Sequence, residues 1–161
     1  MTALEYVGIA EYKLLNRPGI LACSALGSCV GVCLCDGEKK LIGLLHALLP
    51  TARGDRAINN PLKYADTGIA RLVDAMVNMG ASKDRLRAKI VGGACLYQYE
   101  QFCLASEIGS QNVISARDTL NRLGIRIIAE HVGGEYGRSI HLNQSDFSVK
   151  VTVLSKGVII I

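Results

Sequence analysis

The sequence predicts a single layered domain over residues 1–161, of α/β (α+β) class. Three observations carry that reading. Short runs rich in β-branched residues alternate with turn signals. Two stretches space their apolar residues by three and four. Half of the 161 residues are hydrophobic and 20% are charged, which supports a packed core and not a disordered chain.

The first strands are read from apolar stretches at 6–14 and 19–24, divided by the turn signal Asn16-Arg17-Pro18-Gly19. Ser28 to Cys35 is a compact β-rich run. It ends at Asp36-Gly37-Glu38-Lys39-Lys40, a hairpin turn. Leu41 to Leu49 returns as the partner strand, and Pro50 stops it. Arg53 to Asn60 is polar and is read as a loop. A helix follows from Pro61, with Leu62, Ala65, Ile69, Leu72, Val73 and Met76 on one face. Asn60 suits its cap, Pro61 its first turn and Gly80 its C′ position. Ala88 to Ala94 is a strand ending in glycines. A second helix is expected from Asn112 to Leu123, closed by Gly124. Ile125 to Val132 is a strand. Ile140–Leu142 and Phe147–Leu154 form a terminal hairpin around Asn143 to Asp146. The apolar end, Val158 to Ile161, is either a packed strand or a partner contact.

Composition excludes several function classes. The net charge is +4, from 18 Lys+Arg against 14 Asp+Glu, and the basic residues form no block, which argues against nucleic acid. Trp is absent and aromatics make up 5%, so the core is expected to be aliphatic. No apolar run is long enough to span a membrane, and the first residues carry no basic-then-apolar export pattern. The expected setting is therefore a reducing cytoplasm. The six cysteines (Cys23, Cys29, Cys33, Cys35, Cys95, Cys103) are expected as thiols, mostly buried. They form no C-x-x-C pair, which disfavours zinc ribbons and thioredoxin-type chemistry.

One cysteine and one histidine meet across the first hairpin. With the turn centred on Gly37-Glu38, opposed residues have numbers that sum to 75, and Cys29 faces His46. Opposed side chains on antiparallel strands lie roughly 4.5–5.5 Å apart at Cβ. A register shifted by one residue would turn His46 to the other face. An imidazole beside a thiol can take its proton and create a nucleophile for acyl transfer. Gly27 permits tight backbone geometry there, and the amides around Ser28 are suited to an oxyanion. The ordinary role of a cysteine or histidine in an apolar strand is core packing. Cys33 and Cys35 share the face of Cys29, so a metal site is a further alternative, although its spacing fits no familiar zinc loop. His131 and His141 read as structural or exposed. Gly92-Gly93 lacks the surroundings of a phosphate loop and reads as a close backbone approach.

Several of these segments resemble the CheD family of chemoreceptor glutamine deamidases. They are Leu26 to Cys33, His46-Ala47-Leu48-Leu49-Pro50, Lys63-Tyr64-Ala65-Asp66, Lys89 to Ala94, Ile108-Gly109 with Asn112, Gly124-Ile125, Ala129-Glu130 and Gly133-Gly134. The resemblance runs along nearly the whole chain. It implies hydrolysis of receptor glutamine amides to glutamate with release of ammonia, with methylesterase activity as an extension. It implies a layered sandwich like that of deamidating bacterial toxins, no cofactor, and two partners: chemoreceptor cytoplasmic domains and a CheC-type phosphatase. The nucleophile falls on Cys29 and the base on His46. Gly27, Ser28 and Asn112 are the expected substrate-binding positions. The chain departs from the family twice. Cys23 stands where a hydroxyl residue usually orients the histidine, leaving Ser24 or a backbone carbonyl to take over. Gln111 stands where an arginine is usual. Those departures sustain an alternative, a non-catalytic or weakly catalytic binding module that regulates the phosphatase or receptor signalling.

Overall fold

The computed structural model describes residues 2–55, 59–96 and 103–161, with 103–106 described by backbone alone. The strands are β1 (Ala3–Tyr6), β2 (Glu11–Leu15), β3 (Gly19–Leu26), β4 (Val30–Asp36), β5 (Leu41–Ala47), β6 (Arg87–Gly92), β7 (Arg126–Val132), β8 (Arg138–Asn143), β9 (Val149–Val153) and β10 (Gly157–Ile160). The helices are α1 (Ala65–Asn78) and α2 (Cys103–Arg122), with short 3₁₀ turns at Pro61–Lys63 and Lys83–Arg85. This is a mixed α+β fold.

The strands divide into two sheets, β1-β3-β8-β9-β10 and β2-β5-β4-β6-β7. The second sheet lies in the middle. One of its faces carries Val30, Val32, Leu34, Leu41 and Leu45 against Ile69, Leu72, Met76 and Leu120 of the helices. The other carries Cys29, Cys33, Cys35, Ile42 and Leu44 against Leu21, Ile140, Leu142 and Val151 of the first sheet. The layers therefore run sheet, sheet, helices. Because both faces of β4 and β5 are covered, every residue in those strands is buried, which is why they read as continuous apolar runs. Full burial of each such Leu or Ile contributes roughly 1.5–3 kcal/mol.

The stretch 6–14 is two strands, not one. β1 pairs in parallel with β3 in the first sheet, and β2 pairs with β5 in the second. The chain changes sheets at 7–10, where Ala10 takes φ +56°. The hairpin between β4 and β5 forms as expected, but its turn spans 37–40, so opposed residues sum to 77. Asp36 fixes that turn. Its carboxylate accepts from the amides of Glu38, Lys39 and Ser82 and from the Arg85 guanidinium at 2.8–3.3 Å. Burial alone would raise its pKa, but these donors hold it at about 2.

α1 begins at Ala65 rather than at Pro61. Asn60 makes no capping bond, and Tyr64 occupies the cap position without one. Asp66 serves the first turn instead, accepting from the Thr67 amide at 2.7 Å. Pro61 opens the preceding 3₁₀ turn, and Gly80 follows the last turn of α1. α2 starts nine residues before the expected Asn112. Its buried stripe is Gly109, Asn112, Val113, Ala116, Thr119 and Leu120. Glycine and polar residues in that stripe dilute the apolar period, which hid the helix. The terminal hairpin is β8–β9, and the apolar end forms an exposed edge strand, β10, beside β9. Part of the polar segment 53–60 and the Cys103 side chain lie outside the described residues.

Candidate active site

Cys29 ends a bend at 27–29 that leads from β3 into β4, and His46 lies near the end of β5. The residue directly opposite His46 is Gly31. Cys29 lies two positions earlier, a diagonal step that in regular sheet geometry is roughly 7–8 Å. A shift of two keeps the face. Cys29 packs in the core between the two sheets. His46 alternates with Leu45 and Ala47, which face the helices, so it also points between the sheets. Cys33 and Cys35 share this face, as expected.

Both candidate groups are nearly enclosed, with Cys29 6% and His46 1% exposed. Burial pushes the Cys29 thiol above its ordinary value, and only partly does its own backbone amide, facing the sulfur, pull it back. Burial pushes His46 down, and the backbone of Val7 acts in the opposite direction. Val7 lies on the segment that crosses from sheet to sheet, and Ala10 of that segment donates its amide to the His46 carbonyl at 2.8 Å. Neither ring nitrogen of His46 has a hydrogen-bond partner. Burial thus favours the neutral form of both groups over a stored ion pair.

Cys23 is buried in the same inter-sheet core, and burial followed by the neighbouring Cys29 raises its thiol to about 12. It does not hydrogen-bond the imidazole, and Ser24 is exposed to solvent. Ser24 therefore does not take over from the usual hydroxyl, and the protein group that acts on the ring is the backbone of Val7. Among the described residues, no three His, Cys, Asp or Glu side chains are grouped to hold a metal ion.

The bend 27–29 is held by its carbonyls. Gly27 O accepts from the Ala94 amide and Cys29 O from the Gly93 amide, both at 2.8 Å. Ser28 O accepts from Asn112 Nδ2 at 2.7 Å. Gly93 takes φ +65°, and a side chain there would strike Val113 and the Gly109 carbonyl. The glycine pair Gly92-Gly93 is therefore a close backbone approach, as read. Leu96 packs against Gly27 and is exposed, and Ser28 is half-buried. These residues form the outer side of the site. Asn112 does not: it is fully buried on α2. Gln111 is exposed and lines a groove with Pro50, Asp66, Ser115, Asp118 and Arg122. His131 accepts from Arg138 Nε at 2.8 Å, a structural role, while His141 lies on β8 with its Nδ1 buried and unpaired.

Comparison with known proteins places this chain in a family. The family model for CheD chemotactic sensory transduction matches residues 48–153. A probable chemoreceptor glutamine deamidase CheD of Desulfitobacterium hafniense is 40% identical over 157 residues, covering 98% of each chain. The protein of that name from Pyrococcus horikoshii is 43% identical over 157 residues, covering 96% of this chain and 94% of its own. Of solved structures, the Bacillus licheniformis hypothetical protein YfiH superposes with a TM-score of 0.48 at 20% identity, over 74% of this chain and 49% of that one. The family model begins two residues beyond His46, but the full-length relatives span both Cys29 and His46, and the chain belongs to the CheD family.

Proposed function

We propose that this chain hydrolyses glutamine side-chain amides of chemoreceptors to glutamate, with Cys29 as nucleophile and His46 as general base. Its curated relatives are named as probable chemoreceptor glutamine deamidases, which makes the enzyme class protein-glutamine glutaminase. The observation that supports these roles is the shared face: a thiol and an unpaired imidazole lie one diagonal apart between two sheets.

The chemistry follows from two neutral groups. His46 takes the proton from Cys29 as the sulfur attacks the amide carbon. Backbone amides of the bend receive the developing oxyanion. Protonated His46 then gives its proton to the departing nitrogen, which leaves as ammonia. A thioester remains. Water, deprotonated by His46, attacks it, releases glutamate and returns the proton to the thiol. A methylated glutamate would lose methanol by the same route. Residues 1–161 act as one deamidase domain in a cytoplasmic setting, meeting the receptor cytoplasmic bundle and a CheC-type phosphatase. Gly27 and Ser28 meet the substrate backbone, and Cys23 stands behind the pair in place of the usual hydroxyl.

The test is mass spectrometry of a receptor cytoplasmic fragment. Wild-type protein should add roughly one dalton per converted glutamine, the difference between NH₂ and OH. Cys29→Ala should add none while remaining folded. Equal conversion by both proteins would overturn the assignment.

A second reading, a weakly catalytic module that regulates by binding, is favoured by Cys23, a weak hydrogen-bond partner buried in the core where the resemblance expects a hydroxyl. It predicts receptor or phosphatase binding that is unchanged in Cys29→Ala, with no conversion by the wild-type chain.

A further inference from the structure

Asn112 joins the two halves of the site from behind. Its Nδ2 donates to the Ser28 carbonyl at 2.7 Å and to the Leu48 carbonyl at 3.0 Å. Ser28 immediately precedes Cys29, and Leu48 lies two residues beyond His46. One amide group therefore spans the nucleophile bend and the end of the base strand. The other two carbonyls of the bend are held by the backbone amides of Gly93 and Ala94, just after β6. Those bonds tie the bend to the segment that follows β6. The β4–β5 ladder begins only at Val30 opposite Ala47, and Asn112 adds the tie that reaches from the bend itself to the residue just past β5.

The helix is built to deliver this side chain. A methyl group on Gly109 would collide with the carbonyls of Ala94 and Gly93, so α2 sits against the end of β6 with no side chain between them. Asn112 is one turn further on the same helix face. Meanwhile its Oδ1 is buried and has no partner. A buried acceptor left unpaired disfavours the folded state. A side chain selected for packing alone would not carry that penalty.

We propose that Asn112 is a positioning residue, fixing the separation of the Cys29 sulfur and the His46 ring by bridging the carbonyls of Ser28 and Leu48. The proposal deepens the deamidase reading and rests on it. Displacement of reacting groups by about 1 Å costs on the order of a hundredfold in rate. Loss of the bridge also frees the Ser28 carbonyl, loosens the bend ahead of the β4–β5 ladder and brings water to the thiol.

Two readouts decide it in the full chain. In Asn112→Ala, kcat for receptor-fragment conversion should fall about a hundredfold with KM little changed. In the same variant, the pH profile for iodoacetamide labelling of Cys29, followed by peptide mass spectrometry, should move down toward the ordinary thiol value. Cys33, fully buried in the same inter-sheet core, is the control: a residue that only supported the fold would expose Cys33 together with Cys29, whereas loss of the bridge shifts the labelling of Cys29 alone. Asn112→Ser, too short to reach both carbonyls, serves if the alanine variant does not accumulate. A folded variant with wild-type kcat and an unshifted labelling profile overturns the proposal. If wild-type protein converts no glutamine, the deamidase reading fails, and the labelling profile alone then judges the bridge.

Discussion

Gly31, not Cys29, stands directly across from His46, and Cys29 lies on the diagonal. The difference arises from the turn, which uses four residues, 37–40, because Asp36 gathers the amides of Glu38 and Lys39 beneath it. An offset of two preserves the face and lengthens the approach. For the proposed roles, thiol and imidazole have to reach each other along that diagonal, and positions that set the lean of either side chain should matter for rate.

The pH dependence follows from burial. His46 is held below its ordinary 6.5, so in the free enzyme it is neutral, and able to accept a proton, down to pH values under 6.5. The acid limb of kcat/KM for receptor-fragment conversion should therefore have its midpoint below 6.5. Stability should change in the same direction. Below pH 6.5 the unfolded chain takes up a proton that buried His46 resists, so stability falls as pH drops. An acid limb centred above 6.5 would contradict a buried neutral base.

Cys23 gives a gain-of-function test. A thiol is a weak hydrogen-bond partner, and both nitrogens of His46 are unpaired. Cys23→Thr restores a hydroxyl at the position where the family usually carries one. It should raise kcat several-fold by orienting the ring, with KM unchanged. A variant that folds normally and turns over no faster would show that Cys23 does not act on His46.

Gly109 gives a test in which two effects have opposite signs. Ala is a better helix former than Gly by about 1 kcal/mol. A methyl at this position, however, would meet the Ala94 and Gly93 carbonyls. Gly109→Ala should therefore lose about 1–3 kcal/mol of stability in urea unfolding. Stabilisation by the alanine would mean that α2 and the end of β6 are not in close contact.

The structure also shows which parts of the site the chain revealed locally. The hairpin was visible because Val30 to Cys35 and Leu41 to Ala47 are buried on both faces and flank a turn-forming segment. The family was recognisable from the segment carrying Gly27-Ser28-Cys29 and the one beginning at His46. The start of α2 was not visible, because Gly109 and Asn112 occupy helix positions where an apolar period would place aliphatic residues.

By itself, the sequence determined the strand-rich layered character, the first helix, the terminal hairpin and the two chemical groups of the site, because each depends on near neighbours along the chain. Only tertiary structure decided that β1 and β3 belong to a different sheet from β2, β4 and β5. It also decided that Cys29 and His46 are buried neutral groups, and that Asn112 lies behind them and not on the substrate surface. Sheet membership, desolvation and the reach of a helix side chain depend on contacts between residues far apart in the chain, and no local pattern encodes them.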